Sequence, residues 1–207
     1  MVLWLLPGLS TAAPAPLTLP QAVELHEAGR HAEARRAFEQ LWQQQRLPAA
    51  AFNLGVLHLQ APGKARRTAL AMRYLEAAAD AGFVTAQFTL GRIHEEGLAG
   101  PRDLAKALEW YERAAEAGSP EARLAAATAH YLGRGTTRSA ARAMHWYKAA
   151  AQAGDGDAAY IVAAMFEHGD GVPPDLQTAL PWYELAAASG DIAARARLRA
   201  LNPAGRP

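Results

Sequence analysis

The stretch KALEWYERAAEAG, Lys106 to Gly118, decides the fold. It returns as RAMHWYKAAAQAG from Arg142 to Gly154 and as TALPWYELAAASG from Thr178 to Gly190. A weaker copy, LAMRYLEAAADAG, runs from Leu70 to Gly82. The closing glycines Gly82, Gly118, Gly154 and Gly190 stand 36 residues apart. Ala71, Ala107, Ala143 and Ala179 keep the same step, and so do Ala86, Ala122, Ala158 and Ala194. A fixed period of this length is the signature of stacked repeats.

Within one copy, Ala107, Trp110 or Tyr111, Ala114 and Ala115 fall three or four residues apart, which predicts a helix, here called helix B. Asp103, Ser139 and Asp175 precede it as N-caps, because their side-chain oxygens can accept from an unpaired first-turn N–H. The repeated glycine suits the left-handed residue just past its end. Ser119, Asp155 or Asp191 follows that glycine and caps helix A of the next copy; Phe83 breaks the pattern and predicts a looser start there. Neither helix can bury its apolar stripe alone, so the hairpins must stack. The expected class is all-α, a right-handed α-solenoid of stacked helix-turn-helix repeats. Alanines let the helices approach, and the Trp-Tyr pairs at 110–111, 146–147 and 182–183 fill the gaps between them.

The in-register residues resemble the Sel-one-like repeat of the tetratricopeptide superfamily. Leu90-Gly91, Gly97, Asp103, Ala107, Trp110-Tyr111, Ala114-Ala115 and Gly118 carry the likeness in one copy. Gly169, Gly171, Val172, Asp175, Ala179, Trp182-Tyr183, Ala186-Ala187 and Gly190 carry it in another. The resemblance implies an α-solenoid that binds other proteins and does no chemistry of its own.

The expected organisation is a signal-like or disordered segment at 1–19, a divergent tetratricopeptide-like capping repeat at 20–48, four repeats with a final capping helix at 49–201, and a frayed tail at 202–207. In the capping repeat, AGRHAEARRAFEQL resembles an ordinary tetratricopeptide turn and second helix. On the last helix, Arg195, Arg197 and Arg199 are expected to keep the end of the stack wet. Pro181 falls inside helix B of the last copy, which predicts a kink or a restart near Gln177 to Pro181.

The chain has 207 residues, 51% of them hydrophobic, and a formal net charge of +1 from 21 basic and 20 acidic side chains. That balance gives no electrostatic case for nucleic acid or an anionic membrane. Cysteine is absent, which excludes disulfides, thiolate metal sites and a cysteine nucleophile. Arginine and alanine usage fits a GC-rich bacterial genome. MVLWLLPGLSTAA, Met1 to Ala13, resembles the end of a secretory signal and is too short to span a bilayer. A periplasmic or secreted location is expected, with the cytoplasm as the alternative because no Lys or Arg occurs before Arg30.

His58, His94 and His130 form a column with the same period, and Phe166 takes the place in the last copy. One histidine per repeat lies on successive A helices, too far apart to share a zinc that needs each nitrogen about 2.1 Å away. Ser10, Ser119, Ser139 and Ser189 lack a lysine three residues on, so the serine pattern of penicillin-recognising enzymes is missing. No phosphate-cradling glycine motif or calcium loop occurs. No cofactor, metal or catalytic set is expected.

Binding is expected on the inner face lined by the A helices, where positions vary while core positions repeat. The candidates are Asn53, Thr89, Arg92, Arg123 and Tyr131. Asn53, in AFNLG, resembles the asparagine with which tetratricopeptide repeats bond a peptide backbone; Thr89, Ala125 and Ile161 follow it in register, so no repeated clamp is expected. Arg92 and Arg123 suit an acidic segment. The leading reading is a non-catalytic adaptor, monomeric alone, that docks a peptide or helix of a protein partner. The alternatives are a structural subunit of an envelope assembly and, more remotely, a penicillin-binding or hydrolysing enzyme.

Overall fold

The computed structural model describes residues 17–60 and 65–201. The signal-like stretch Met1 to Ala13 and the Asn202–Pro207 tail lie outside them. Eleven helices and no strands make up the described residues. α1 (Leu19–Glu27) and α2 (His31–Gln45) form the first hairpin. Four more follow: α3 (Pro48–Gln60) with α4 (Ala65–Asp80), α5 (Val84–Glu96) with α6 (Leu104–Glu116), α7 (Pro120–Leu132) with α8 (Ala140–Gln152), and α9 (Gly156–His168) with α10 (Leu176–Ala188). α11 (Ile192–Leu201) ends the stack. Extensive contacts run only between helices adjacent in sequence, which is what a solenoid requires.

The capping chemistry follows the sequence residue by residue. Asp103 accepts from the Lys106 N–H at 3.0 Å, Ser139 from Arg142 at 3.3 Å and Asp175 from Thr178 at 3.1 Å. Between hairpins, Ser119, Asp155 and Asp191 cap α7, α9 and α11. Each preceding glycine is left-handed, for instance Gly118 at φ +98°. There the Ser119 N–H donates to Ala114 and that of Gly118 to Ala115, at 2.9 and 3.1 Å. This paired closure lets one residue end a helix and the next start another. At α5 the cap is missing: Phe83 makes no side-chain bond. The helix start is held instead by the buried Gln87, whose Nε2 donates to the Ala79 carbonyl at 3.0 Å.

The alanine columns form the core; Ala71, Ala86, Ala122, Ala143, Ala158, Ala179 and Ala194 are fully buried. The aromatic pairs divide their work. Tyr111, Tyr147 and Tyr183 are buried inside their own hairpins, whereas Trp110, Trp146 and Trp182 are half-buried. Trp110 packs on the cluster made by α3, α4 and α5, and Trp146 on the clusters made by α6 and α7. The tyrosine therefore fills a hairpin, and the tryptophan seals the seam to the hairpin before it. Room for the tyrosine comes from the small residue below it: a Cβ on Gly91 would sit 2.4 Å from the Tyr111 ring.

Three local expectations need correction or completion. α10 runs as one helix from Leu176 to Ala188 through Pro181, so nothing restarts there. Proline removes the donor to the Gln177 carbonyl, but Gln177 and Pro181 both lie on the exposed side, where water can replace that bond. Arg197 does not merely wet the last helix. Its guanidinium makes two bonds to Glu167, one of them Nε to Oε2 at 3.1 Å. Arg199 is exposed, and it stands in register with Gly55, Gly91, Ala127 and Ala163, the small residues on which helix B closes.

Two rings of the histidine column pack against a neighbouring helix. The His58 ring stacks on Tyr74 at 5.8 Å, and burial lowers its pKa. The backbone carbonyls of His94 and His130 accept from Asp103 and Ser139, closing the loops of α5–α6 and α7–α8. His130 is buried, with Nε2 2.7 Å from Glu112 on α6. One repeat on, the same joint places Phe166 under the Lys148 ammonium at 4.7 Å. Among the described residues no group of three His, Asp or Glu side chains could hold a metal ion.

Candidate binding groove

The first helices of the hairpins, α3, α5, α7 and α9, carry one register position beside the Leu75, Tyr111, Tyr147 and Tyr183 column of helix B. It reads Leu59, Glu95, Tyr131 and Glu167. In two copies a carboxylate takes the tyrosine hydroxyl: Tyr111 donates to Glu95 at 2.7 Å and Tyr183 to Glu167 at 2.6 Å. Burial, with the Glu95 bond next, pushes the Tyr111 phenol well above its ordinary range, and burial also raises Tyr183. An arginine from the following hairpin or helix completes each arrangement. Arg134 approaches Glu95 to 3.8 Å, and Arg197 binds Glu167.

The third copy departs from this plan. Tyr131 cannot serve as the carboxylate, and it turns to the loop of the next hairpin, donating to Asp170 Oδ2 at 2.6 Å. Arg138 ties Asp170 and Tyr131 together by three contacts. Its Nη2 donates to Asp170 Oδ1 at 3.3 Å, its Nε to the Tyr131 carbonyl at 3.1 Å, and its guanidinium lies 5.1 Å from the Tyr131 ring centre. The bond to Asp170 raises the Tyr131 phenol pKa. Tyr147 is left with Thr128, 3.2 Å away.

What opens is a cavity of about 360 Å³ between α7 and α9, lined by Tyr131, Tyr147, Tyr160, Ile161, Ala164, Met165, His168 and Asp170. A smaller hollow of about 270 Å³ lies one period earlier, lined by Glu95, Leu124, Ala125, Thr128, Ala129 and Arg134. Every one of these six is the register equivalent of a residue lining the larger cavity. The two hollows are successive steps of one groove, polar at the first and aromatic at the second.

Of the five residues singled out from sequence, Tyr131 lines the larger cavity and the other four do not. Asn53 donates to the Ala49 carbonyl of its own helix at 2.8 Å. Thr89 is half-buried on α5 at the same register position. Arg92 is exposed and paired with Glu96 at 2.7 Å. Arg123 points to α8, where Nη1 donates to the Ala149 carbonyl at 3.5 Å. Sequence reasoning missed Tyr160, Met165 and Asp170. Tyr160 carried a signal, because it adds a hydroxyl to a column otherwise made of Phe52, Phe88 and Leu124.

Stacked hairpins with a continuous varied face define an α-solenoid repeat protein, a class that generally serves as a scaffold for protein interactions. The Sel1 repeat model matches residues 48–83, 84–119, 120–155 and 156–191, and the chain belongs to the Sel1 repeat family. It is similar to a Sel1 repeat protein from Oxalobacter formigenes, with 29% identity and a TM-score of 0.71 over 86% of this chain and 72% of that one. It is also similar to c5321, a protective antigen present in uropathogenic Escherichia coli strains that displays an SLR fold. There the identity is 28% and the TM-score 0.64, over 81% of this chain and 36% of that one. No curated protein is significantly similar to the chain. Among the described residues no helix is long and apolar enough to cross a membrane.

Proposed function

We propose that the chain is a non-catalytic adaptor that holds a segment of a partner protein along the face of α3, α5, α7 and α9. The observation that carries this reading is the contrast within one repeat. Positions at the hairpin core repeat in step, while the groove positions change from copy to copy: Asn53, Thr89, Ala125 and Ile161 at one register, and Leu59, Glu95, Tyr131 and Glu167 at another. A face that varies on a rigid scaffold is where recognition concentrates. Four side chains of a kind used in catalysis have structural duties. Ser119 and Ser139 cap helices, Ser189 donates to Leu185, and His130 meets Glu112. Residues 20–48 act in this reading as the capping repeat of the N-terminal end, and the chain works as a single copy. The apolar run Met1 to Ala13 with the proline-rich segment after it supports work in the cell envelope.

The test is peptide selection on the purified full chain from a random displayed library, followed by fluorescence anisotropy with the selected peptides. Saturable binding that weakens on substitution of Thr89 and Tyr131 is the expected result. Peptides that bind equally well to these variants would remove the groove from the reading, and turnover of a chromogenic β-lactam would remove the adaptor.

A further inference from the structure

We propose that the cavity between α7 and α9 receives one uncharged apolar or aromatic anchor side chain of the partner segment. The inference rests on the adaptor reading and makes it specific to one repeat. At Glu95 and at Glu167 a carboxylate and an arginine close over the tyrosine hydroxyl, and the hollow at Glu95 is smaller, about 270 Å³, with both charges on its wall. At Tyr131 that closure is replaced: the phenol is drawn aside to Asp170, and the Tyr147 ring becomes a floor. The volume of about 360 Å³ is at the small end of ligand cavities, which run from about 300 to 1,000 Å³. It suits one large side chain and its flanking backbone.

The charges around the rim choose the occupant. Both oxygens of Asp170 are engaged, one by the Tyr131 hydroxyl and one by Arg138. His168 Nδ1 lies 2.8 Å from the Ala164 carbonyl of its own helix. The neighbouring Glu167 is bound by Tyr183 and Arg197. A charged side chain entering here would lose its water and find each opposite charge already partnered, which is unfavourable. A leucine or tryptophan side chain would gain by covering Tyr147, Tyr160, Ile161 and Met165.

The test is methyl NMR on the full chain, following Met165 and Ile161 during titration with capped single amino acids. N-acetyl-tryptophanamide and N-acetyl-leucinamide are expected to move both signals saturably. N-acetyl-lysinamide and N-acetyl-aspartamide are expected to bind at least about tenfold more weakly, for lack of a free counter-charge. Ala164→Trp, which fills the cavity, should abolish the shifts, while Arg92→Trp at the same register on α5 should leave them. If Ala164→Trp does not fold, Ile161→Glu gives the same reading through charge. Absent shifts, or equal binding of the charged probes, would overturn the proposal. So would a dimer that Ala164→Trp dissociates in sedimentation, because a second copy would then be the occupant. A selected peptide whose affinity is unchanged in Ala164→Trp overturns the anchor and leaves the adaptor standing. Capped tryptophan that binds when no peptide does removes the partner segment, and with it both readings.

Discussion

The joint between α4 and α5 and the joint between α8 and α9 occupy the same place in the repeat but are held by different means. At the second, Asp155 caps α9. Gly171, from the loop that follows α9, lies against the start of α8 at Ala140. One apolar cluster runs on from Ala127 to Ala194. At the first, Phe83 caps nothing, and Ala99 stands where the docking glycine would be. A hollow of about 470 Å³ opens beside Met72, Ile93 and His94. Gln87 and the Phe52–Phe83 ring contact at 5.3 Å take over there. The period thus demands helix spacing, not particular bonds, and the two halves of the stack should differ in how they fail.

Breaking the stronger joint should have the largest effect. Gly171 has φ +81°, and a Cβ there would sit 2.6 Å from Ala140 Cβ and 2.9 Å from the Ala140 carbonyl carbon. Gly171→Ala should cost about 2–4 kcal/mol in urea unfolding, from left-handed strain and overpacking together. Amide exchange should rise first in α8 to α10; if α5 loosens first, the division into halves is wrong. Pro181→Ala should sharpen the contrast by stabilising α10. The gain is about 2–2.5 kcal/mol, the helix penalty of proline, about 3, less its stiffening of the unfolded chain, about 0.4–1. No change in the urea midpoint would mean that hydration of the Gln177 carbonyl already offsets the lost bond.

Giving the weak joint the cap of the strong one is a smaller test. Phe83→Asp restores a cap worth about 1 kcal/mol. It also removes a half-buried ring whose packing is worth about 1–2 kcal/mol. A net loss of up to about 1 kcal/mol is therefore expected, and a clear gain would show that the ring contact contributes little. The smallest effect at ordinary pH comes from the buried phenols. The folded state raises Tyr111 and Tyr183 above their unfolded value of about 10. Their contribution is thus complete below that pH and lost as pH rises beyond it. Melting temperature should fall above about pH 10, and less steeply in Tyr111→Phe; identical slopes would refute the assignment.

The architecture was legible because its determinants are local and recur. A glycine followed by a capping residue fixes each hairpin junction without reference to anything distant. The groove was only partly legible. That Tyr131 would leave its own hairpin for Asp170, 39 positions on, depends on which residue occupies the facing position in another copy. Helical periodicity carries no such information. The pairing of Arg197 with Glu167 was hidden for a similar reason: read along its own helix, Arg197 looks like one of three solvated arginines. Read down its column, after Asn53, Thr89, Ala125 and Ile161, it belongs to the groove. The exposed Arg92 shows the converse, since a free-looking cation proves to be paired one turn away.

Arg199 gives the array a direction of growth. A duplicated unit inserted in phase before Asp191 would bring its own glycine or alanine beneath the incoming tyrosine, and every interface could re-form. The same unit appended behind α11 would have to close on a guanidinium. Duplication within the stack therefore keeps a small residue under every incoming tyrosine, whereas a helix laid on α11 in the same way meets Arg199.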